Sequence, residues 1–313
     1  MSAVTVTVKP KGPYSLAFSA RGDATRRVRQ GFVTAALPGG SLARASQRRD
    51  GHVVLSAPDE EGIQQLRFVL ALDDDHSPFL RRFARDPLLK HAVSHLPWLR
   101  PLRLATVAHA LLRAFCGQLI DGRTARILER RVIRAATPAA GDLGSPPTAR
   151  ELAHFAPAEL RRLGLHARRS AALVRICRAV DVERLKQLPT SAAADRLQRE
   201  RGLGPWSVGV VCLEGLGRPE RGLVGDLALV KLCAALWGRW VEGWETAELL
   251  EPYGEWQGLA SVYLIAAFGR GLVPGAVHSS HAVRQSSARG SRSGEDRRIA
   301  DLRAAERRLA RTS

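Results

Sequence analysis

From Phe79 onward apolar residues recur at three- and four-residue spacing almost without interruption, and this periodicity constrains the fold of the 313-residue chain more than any other feature. The segments 104–136, 149–155, 157–163, 167–180, 192–200, 206–215, 226–237, 245–250 and 257–268 carry it, separated by Gly, Pro or Asp signals. Residues 3 to about 72 follow a different rule. Val4, Val6 and Val8 alternate with polar residues, and Tyr14-Ser-Leu16-Ala-Phe18 alternates again. Turns near Pro38-Gly39-Gly40 and Arg49-Asp50-Gly51 separate further short runs such as His52-Val53-Val54-Leu55. The pattern predicts an α+β protein. A small N-terminal antiparallel β-sheet domain spans 1–78, with a packed helix over Glu60 to Ala71, and a mainly α-helical domain spans 79–275. Thr137 to Pro147 is predicted as a loop within the helical domain, because helices resume in the same style beyond it. Residues 276–313 hold nine arginines, four acidic residues and seven serines with few large apolar side chains, the composition of a basic, flexible tail.

Hydrophobic residues at 45% beside 25% charged ones are those of a folded protein, yet 48 basic residues face 30 acidic ones, a formal charge of +18. Lysine supplies only Lys9, Lys11, Lys90, Lys186 and Lys231, which fits a genome that writes arginine freely. The excess itself fits a polyanionic partner, nucleic acid ahead of an acidic membrane surface. No run of about 18 apolar residues occurs and MSAVTVTVKP lacks the apolar core of a signal peptide, so a cytoplasmic protein with no membrane partner is expected. Cys116, Cys177, Cys212 and Cys233 stand far apart in sequence with no C-x-x-C pair. That spacing predicts buried reduced thiols, no iron–sulfur cluster and no metal held by side chains.

The most informative stretch is Leu197-Gln-Arg-Glu-Arg-Gly-Leu-Gly-Pro-Trp-Ser-Val-Gly-Val-Val-Cys212. A helix is predicted to end at Gly202 in a left-handed cap, Leu203 to pack inward, Gly204 to repeat the left-handed turn, and Pro205 to open the next helix. Such a hairpin points backbone N–H groups outward beside a helix N-terminus, a surface that grips phosphate without reading bases. Gly-Leu-Gly alone also occurs as a plain helix–helix turn. Asp226, in Gly225-Asp226-Leu-Ala-Leu-Val-Lys231, follows Gly204 by 22 residues and immediately precedes a helix, where an aspartate alone is an ordinary N-cap. In this order hairpin, spacer and aspartate resemble the helix-hairpin-helix DNA glycosylases, specifically the DNA-3-methyladenine glycosylase II branch, over most of residues 1–274.

The resemblance implies the roles that follow. Bifunctional glycosylases carry a nucleophilic lysine two residues after the second hairpin glycine; here Trp206 stands there, as in the 3-methyladenine branch, where its face can stack on a cationic base. Arg113-Ala-Phe-Cys-Gly-Gln118-Leu119-Ile120 matches the family's Gly-Gln-hydrophobic motif, which makes Leu119 the wedge that fills the space left by an extruded nucleotide and Gln118 its polar neighbour. Gly202, Leu203, Gly204 and Ser207 would line the DNA on the hairpin side. Val210 and Ala267 occupy positions where the family carries pocket aromatics, so Phe115, Tyr263, Phe268 or Trp256 would complete a base pocket with Trp206. Independently of the resemblance, Arg123 and His166-Ala-Arg168-Arg169 are candidate phosphate contacts by charge, although any one arginine among 43 is also ordinary solvated surface. No cofactor is implied, although hairpin backbone carbonyls could hold a monovalent or divalent cation. The partner would be double-stranded DNA containing damaged bases, bound by a monomer that in a prokaryote would associate with the nucleoid.

Hydrolysis of an N-glycosidic bond passes through a sugar of oxocarbenium character, which a carboxylate beneath the anomeric carbon stabilises. Asp226 is the carboxylate the motif supplies. A neutral base would also need a proton donor, and the sequence offers no second acid in a matching motif, which favours alkylated purines of the 3-methyladenine and 7-methylguanine type. The expectation is a monofunctional glycosylase that leaves an abasic site. The alternatives are a non-catalytic DNA-binding or damage-sensing protein, and a glycosylase for another damaged base.

Overall fold

The structure, a computed structural model, describes residues 3–276. The tail assigned to 276–313 therefore lies, from residue 277 on, outside the described residues. Strands β1 (Val4–Val8), β2 (Arg26–Arg29), β3 (Phe32–Ala36), β4 (Leu42–Gln47) and β5 (Val53–Ala57) form one antiparallel sheet in the order β1-β5-β4-β3-β2. Alternation puts Val33, Ala35, Ala43, Ala45, Val53 and Leu55 on one face, where Ile63 and Leu66 of the helix Glu60–Val69 cover them. Gly62 lets that helix lie close, since a Cβ there would stand 2.9 Å from that of Ala57. One local expectation is corrected. Tyr14 to Phe18 is not a strand: Leu16–Ser19 makes one helical turn (α1), with the Leu16 amide donating to Gln47 Oε1 at 2.8 Å. Strand β2, Arg26–Arg29, carries a single apolar residue, Val28.

After the Glu60–Val69 helix (α2) the chain is helical: α3 (Ser77–Arg82), α4 (Lys90–His95), α5 (Val107–Gly117), α6 (Gly122–Ala136), α7 (Ala149–Ala153), α8 (Pro157–Arg162), α9 (Ala167–Ala179), α10 (Thr190–Gln198), α11 (Pro205–Val210), α12 (Leu227–Trp237), α13 (Thr246–Leu250) and α14 (Gln257–Phe268). Their buried faces make a second core, built from Phe79 onward. Among the described residues no helix is long and apolar enough to cross a membrane. The loop predicted over Thr137 to Pro147 contains a short hairpin pairing Ala139–Ala140 (β6) with Leu143–Gly144 (β7).

The segment 104–136 is two helices. Gln118 is extended at the end of α5, Leu119 is left-handed at φ 57°, and Asp121 caps α6 by accepting from the Arg123 and Thr124 amides at 2.9 and 3.0 Å. A helix cannot pass through a left-handed leucine, so the break is enforced.

Sheet and helices are joined by a buried ionic cluster. Arg113 on α5 donates to Asp23 Oδ2 at 3.2 Å, to Glu129 Oε1 on α6 at 3.0 Å, and to Glu214 Oε2 at 3.1 Å. Glu214 lies in a π-helical turn, Val211–Gly215, that continues α11. Arg26 of β2 donates to Asp23 and to the Arg103 carbonyl, and His109 Nε2 lies 2.7 Å from Glu129. Burial works against ionisation of Asp23 and Glu129, but the facing guanidiniums outweigh it and hold both carboxyls below the usual range. At Glu214 burial wins and the carboxyl rises. Replacing Arg113 by methionine leaves three buried carboxyls without their common partner. The expected result is a loss of about 3–5 kcal/mol of stability in urea or guanidinium unfolding.

Candidate functional site

The helix α10 ends at Gln198, four residues before Gly202 rather than at it, and Arg199 and Glu200 continue in turn conformation. Gly202 adopts φ 99°, which glycine alone accepts readily, and Leu203 is buried beneath the turn. Gly204 departs from expectation. It is not left-handed but extended, at φ −88° and ψ 178°, and serves as the N-cap of α11 ahead of Pro205. The amides of Gly202 and Gly204 donate to no acceptor among the described residues, so the loop presents them outward beside the first turn of α11.

Trp206, in that first turn, is half-buried and directs its indole N–H to Asp226 Oδ2 at 3.0 Å. The other carboxylate oxygen, Oδ1, accepts the Ala228 amide at 2.9 Å, so Asp226 is an N-cap, of α12, and is also held from the hairpin side. A capping role and a site role thus coincide in one side chain whose two oxygens point to two different elements. The turn before it is close-packed. Gly225, at φ 89°, donates its amide to Thr246 Oγ1 at 2.7 Å, and the Thr246 hydroxyl donates to the Gly243 carbonyl at 2.8 Å. A Cβ on Gly225 would sit 3.8 Å from the Gly243 carbonyl oxygen and 4.0 Å from Trp206 Cβ.

The end of α5 meets the hairpin from the opposite side. Gln118 Nε2 donates to the Gly202 carbonyl at 2.8 Å and to Ser207 Oγ at 3.0 Å. Leu119, next in sequence, is 96% exposed, more than any other large apolar side chain among the described residues. Leu119 is thus an exposed leucine in a strained left-handed backbone, held beside the hairpin by its neighbour Gln118. Gly117 completes the junction, because a Cβ there would lie 2.6 Å from Trp206 Cη2. The hairpin, the loop bearing Leu119, Trp206 and Asp226 are therefore linked to one another by direct contacts.

The aromatic residues expected around a base pocket are distributed differently. Phe115 is fully buried under the hairpin, where a Cβ on Gly202 would reach its ring at 3.4 Å, so it supports the turn from below. Tyr263 is also fully buried, packed on Phe79 at 4.9 Å between centroids with its hydroxyl 3.4 Å from the Leu99 carbonyl. Neither offers a face to the site opening, because each ring is consumed by core packing. Phe268 and Trp256 are half-buried, and Val210 and Ala267 are buried. Sequence patterning did not single out Trp240 and Trp244, which are 79% and 68% exposed on the segment that docks through Gly243 against Gly225. A Gly-Trp-Glu-Thr run just ahead of a helix was the available signal. His166 caps α9, with Nδ1 accepting the Arg168 amide at 3.3 Å.

All four cysteines are free and buried, and burial raises each thiol, to about 11 for Cys212 and Cys233. Among the described residues no group of three or more His, Cys, Asp or Glu could hold a metal ion. Among the hairpin carbonyls, that of Glu200 accepts the Leu203 amide and that of Gly202 accepts Gln118 Nε2.

No family model matches the chain. A curated DNA-3-methyladenine glycosylase of Bacillus subtilis (strain 168) is 26% identical over 217 residues, covering 66% of this chain and 71% of that protein. The structure is similar to that of a 3-methyladenine DNA glycosylase from Archaeoglobus fulgidus, with a TM-score of 0.71 and 16% identity over 84% of this chain and 97% of the other. It is equally similar to an 8-oxoguanine glycosylase/lyase of Clostridium acetobutylicum, solved with double-stranded DNA, with a TM-score of 0.69 and 17% identity over 86% of this chain and 98% of that one. The fold is that of the helix-hairpin-helix DNA glycosylases. The resemblance of the sequence to the DNA-3-methyladenine glycosylases is borne out by the curated relative. Because the two structural likenesses differ little in score, the fold does not discriminate between alkylated and oxidised bases.

The close approach at Gly117 is directly testable. Gly117→Ala must displace the Trp206 ring and with it the hydrogen bond to Asp226. The expected outcome is a loss of about 1–3 kcal/mol in chemical unfolding together with altered tryptophan emission. Wild-type stability and emission would show that the junction accommodates a methyl group without moving Trp206.

Proposed function

We propose that the protein is a monofunctional DNA glycosylase of base excision repair that releases alkylated purines from double-stranded DNA and leaves an abasic site. The hydrogen bond from Trp206 to Asp226, in reach of the hairpin and of Leu119, carries this reading. The curated relative supports a DNA glycosylase, and the site supports the narrower chemistry.

Phosphates of the damaged strand meet the outward amides of the hairpin, and Leu119 enters the stack as the lesion nucleotide leaves it. Extrusion costs a few kcal/mol and least where pairing is already weakened by damage. The extruded base meets the electron-rich face of Trp206, which attracts a ring bearing positive charge. Asp226 is fixed by two donors, so little reorganisation accompanies the appearance of positive charge on the sugar; its carboxylate stabilises the oxocarbenium-like transition state and orients the attacking water. An N3- or N7-alkylated purine already carries its charge and departs without a second acid. A Schiff-base lyase step has no nucleophile, since Trp206 occupies the position of the hairpin lysine and no lysine lies between Lys186 and Lys231. Lys186 itself pairs with Glu183 at 2.9 Å.

Duplexes carrying 3-methyladenine, 7-methylguanine or hypoxanthine, assayed for alkali-labile sites, test the proposal. Free base release without strand scission is expected for the first two. Asn in place of Asp226 preserves the cap yet removes the charge, so Asp226→Asn should lower release at least tenfold, about 1.4 kcal/mol of barrier, with DNA binding retained. Wild-type release by that variant would overturn the mechanism. Binding without release from any lesion would favour the damage-sensing alternative, and release confined to another base would favour a glycosylase of different specificity.

A further inference from the structure

Helix α6 begins three residues after Leu119 and carries a charge pattern that the fold does not need. Its sequence, GRTARILERRVIRAA, holds one acidic residue, Glu129, and that side chain is buried against His109 and Arg113. Val132 and Ile133 share its inward face. The outer face is left with Arg123, Arg126, Arg130, Arg131 and Arg134, which with Ile127 line an open concavity of about 440 Å³. None of these five arginines pairs with a carboxylate among the described residues. A solvated helix ordinarily intersperses acids at three- or four-residue spacing, and cations in the first turn oppose the helix dipole. Here Arg123 and Arg126 stand near the N-terminal end, where only the Asp121 cap offsets them. Further cations gather nearby: burial first, then the fields of Arg270 and Arg126 against that of Glu214, lower the affinity of Arg21 for its proton.

We propose that the outer face of α6, from Arg123 to Arg134, is a second DNA-backbone site, which engages the phosphates of the duplex flanking the wedge on the side away from the hairpin. Gln118 fixes the geometry, since it ties the loop bearing Leu119 to Gly202 and so places the wedge between the hairpin and the start of α6. The eleven rises from Arg123 to Arg134, at about 1.5 Å each, make a basic ridge of about 16 Å. One strand of B-DNA presents a phosphate about every 3.4 Å along the axis, so the ridge matches about five phosphates, nearly half a helical turn. The hairpin grips through backbone amides at one place; the ridge grips through charge along a length. The inference rests on the reading of the protein as one that acts on duplex DNA.

The test is the salt dependence of binding of the full chain to an undamaged 30-base-pair duplex. Each phosphate that an arginine no longer neutralises reduces the slope of log K against log salt by about 0.9. The variant Arg126→Gln/Arg130→Gln/Arg134→Gln should therefore lower the slope by about 2 to 3, with helix content unchanged by circular dichroism. A control with the same charge loss on exposed positions elsewhere, Arg44→Gln/Arg49→Gln/Arg85→Gln, should lower it by less than one. An unchanged slope in the first variant, or an equal fall in both, overturns the proposal. So does a variant that keeps its duplex slope and instead loses binding to vesicles of anionic phospholipid. Because the duplex carries no lesion, the result does not depend on base release: a glycosylase assay that fails leaves the ridge standing, and a ridge that fails leaves the glycosylase reading untouched.

Discussion

One guanidinium organises this molecule. Arg113 lies where the sheet, α5, α6 and the π-helical turn after α11 converge, and it answers a carboxyl from three of them. Desolvating four charges costs several kcal/mol per ion, and only their close mutual satisfaction recovers it. The consequence is positional. With α5 locked to the sheet and to the end of the hairpin helix, the residues that follow Arg113 lead directly to Gly117, Gln118 and Leu119, and these reach the hairpin in one register. The π turn serves the same junction, since it carries Glu214, whose side chain meets Arg113 and whose carbonyl accepts the Leu104 amide at 2.8 Å.

The site built on this frame is economical in charged groups. Asp226 takes one donor from its own helix and one from the hairpin helix, so its position reports on both. The three glycines nearby act for separate reasons. Gly117 makes room for the Trp206 ring, Gly225 turns left-handed to bring the Asp226 backbone around, and Gly202 turns left-handed above Phe115. Trp206 consequently has one edge against α5 and its nitrogen on the carboxylate.

The helices were legible because burial on one face imposes a three- and four-residue period that short Gly and Pro signals interrupt. The break at Gln118 to Asp121 was not, since Leu119 and Ile120 continue the apolar pattern and only the family resemblance assigned Leu119 to the exterior. Tyr14 to Phe18 misled because five residues of alternation also fit a single helical turn. Phe115 and Tyr263 show a different limit: an aromatic near a cavity in sequence does not reveal which side of the wall its ring occupies. The ionic cluster joins residues 90 and 101 positions apart, as in the pairs of Arg113 with Asp23 and Glu214, and no local pattern encodes such a meeting.

The left-handed backbone of Leu119 has a kinetic meaning. A non-glycine residue in that conformation costs about 1–2 kcal/mol, and here the cost is met in the free protein, by Gln118 on one side and the Asp121 cap on the other. The loop thus holds this shape without a partner, and under the proposed function that is its working shape. If the protein inspects duplex DNA as proposed above, that step requires no ordering of this loop, only deformation of the duplex, so the barrier to each inspection belongs to the nucleic acid and falls wherever the stack is weak.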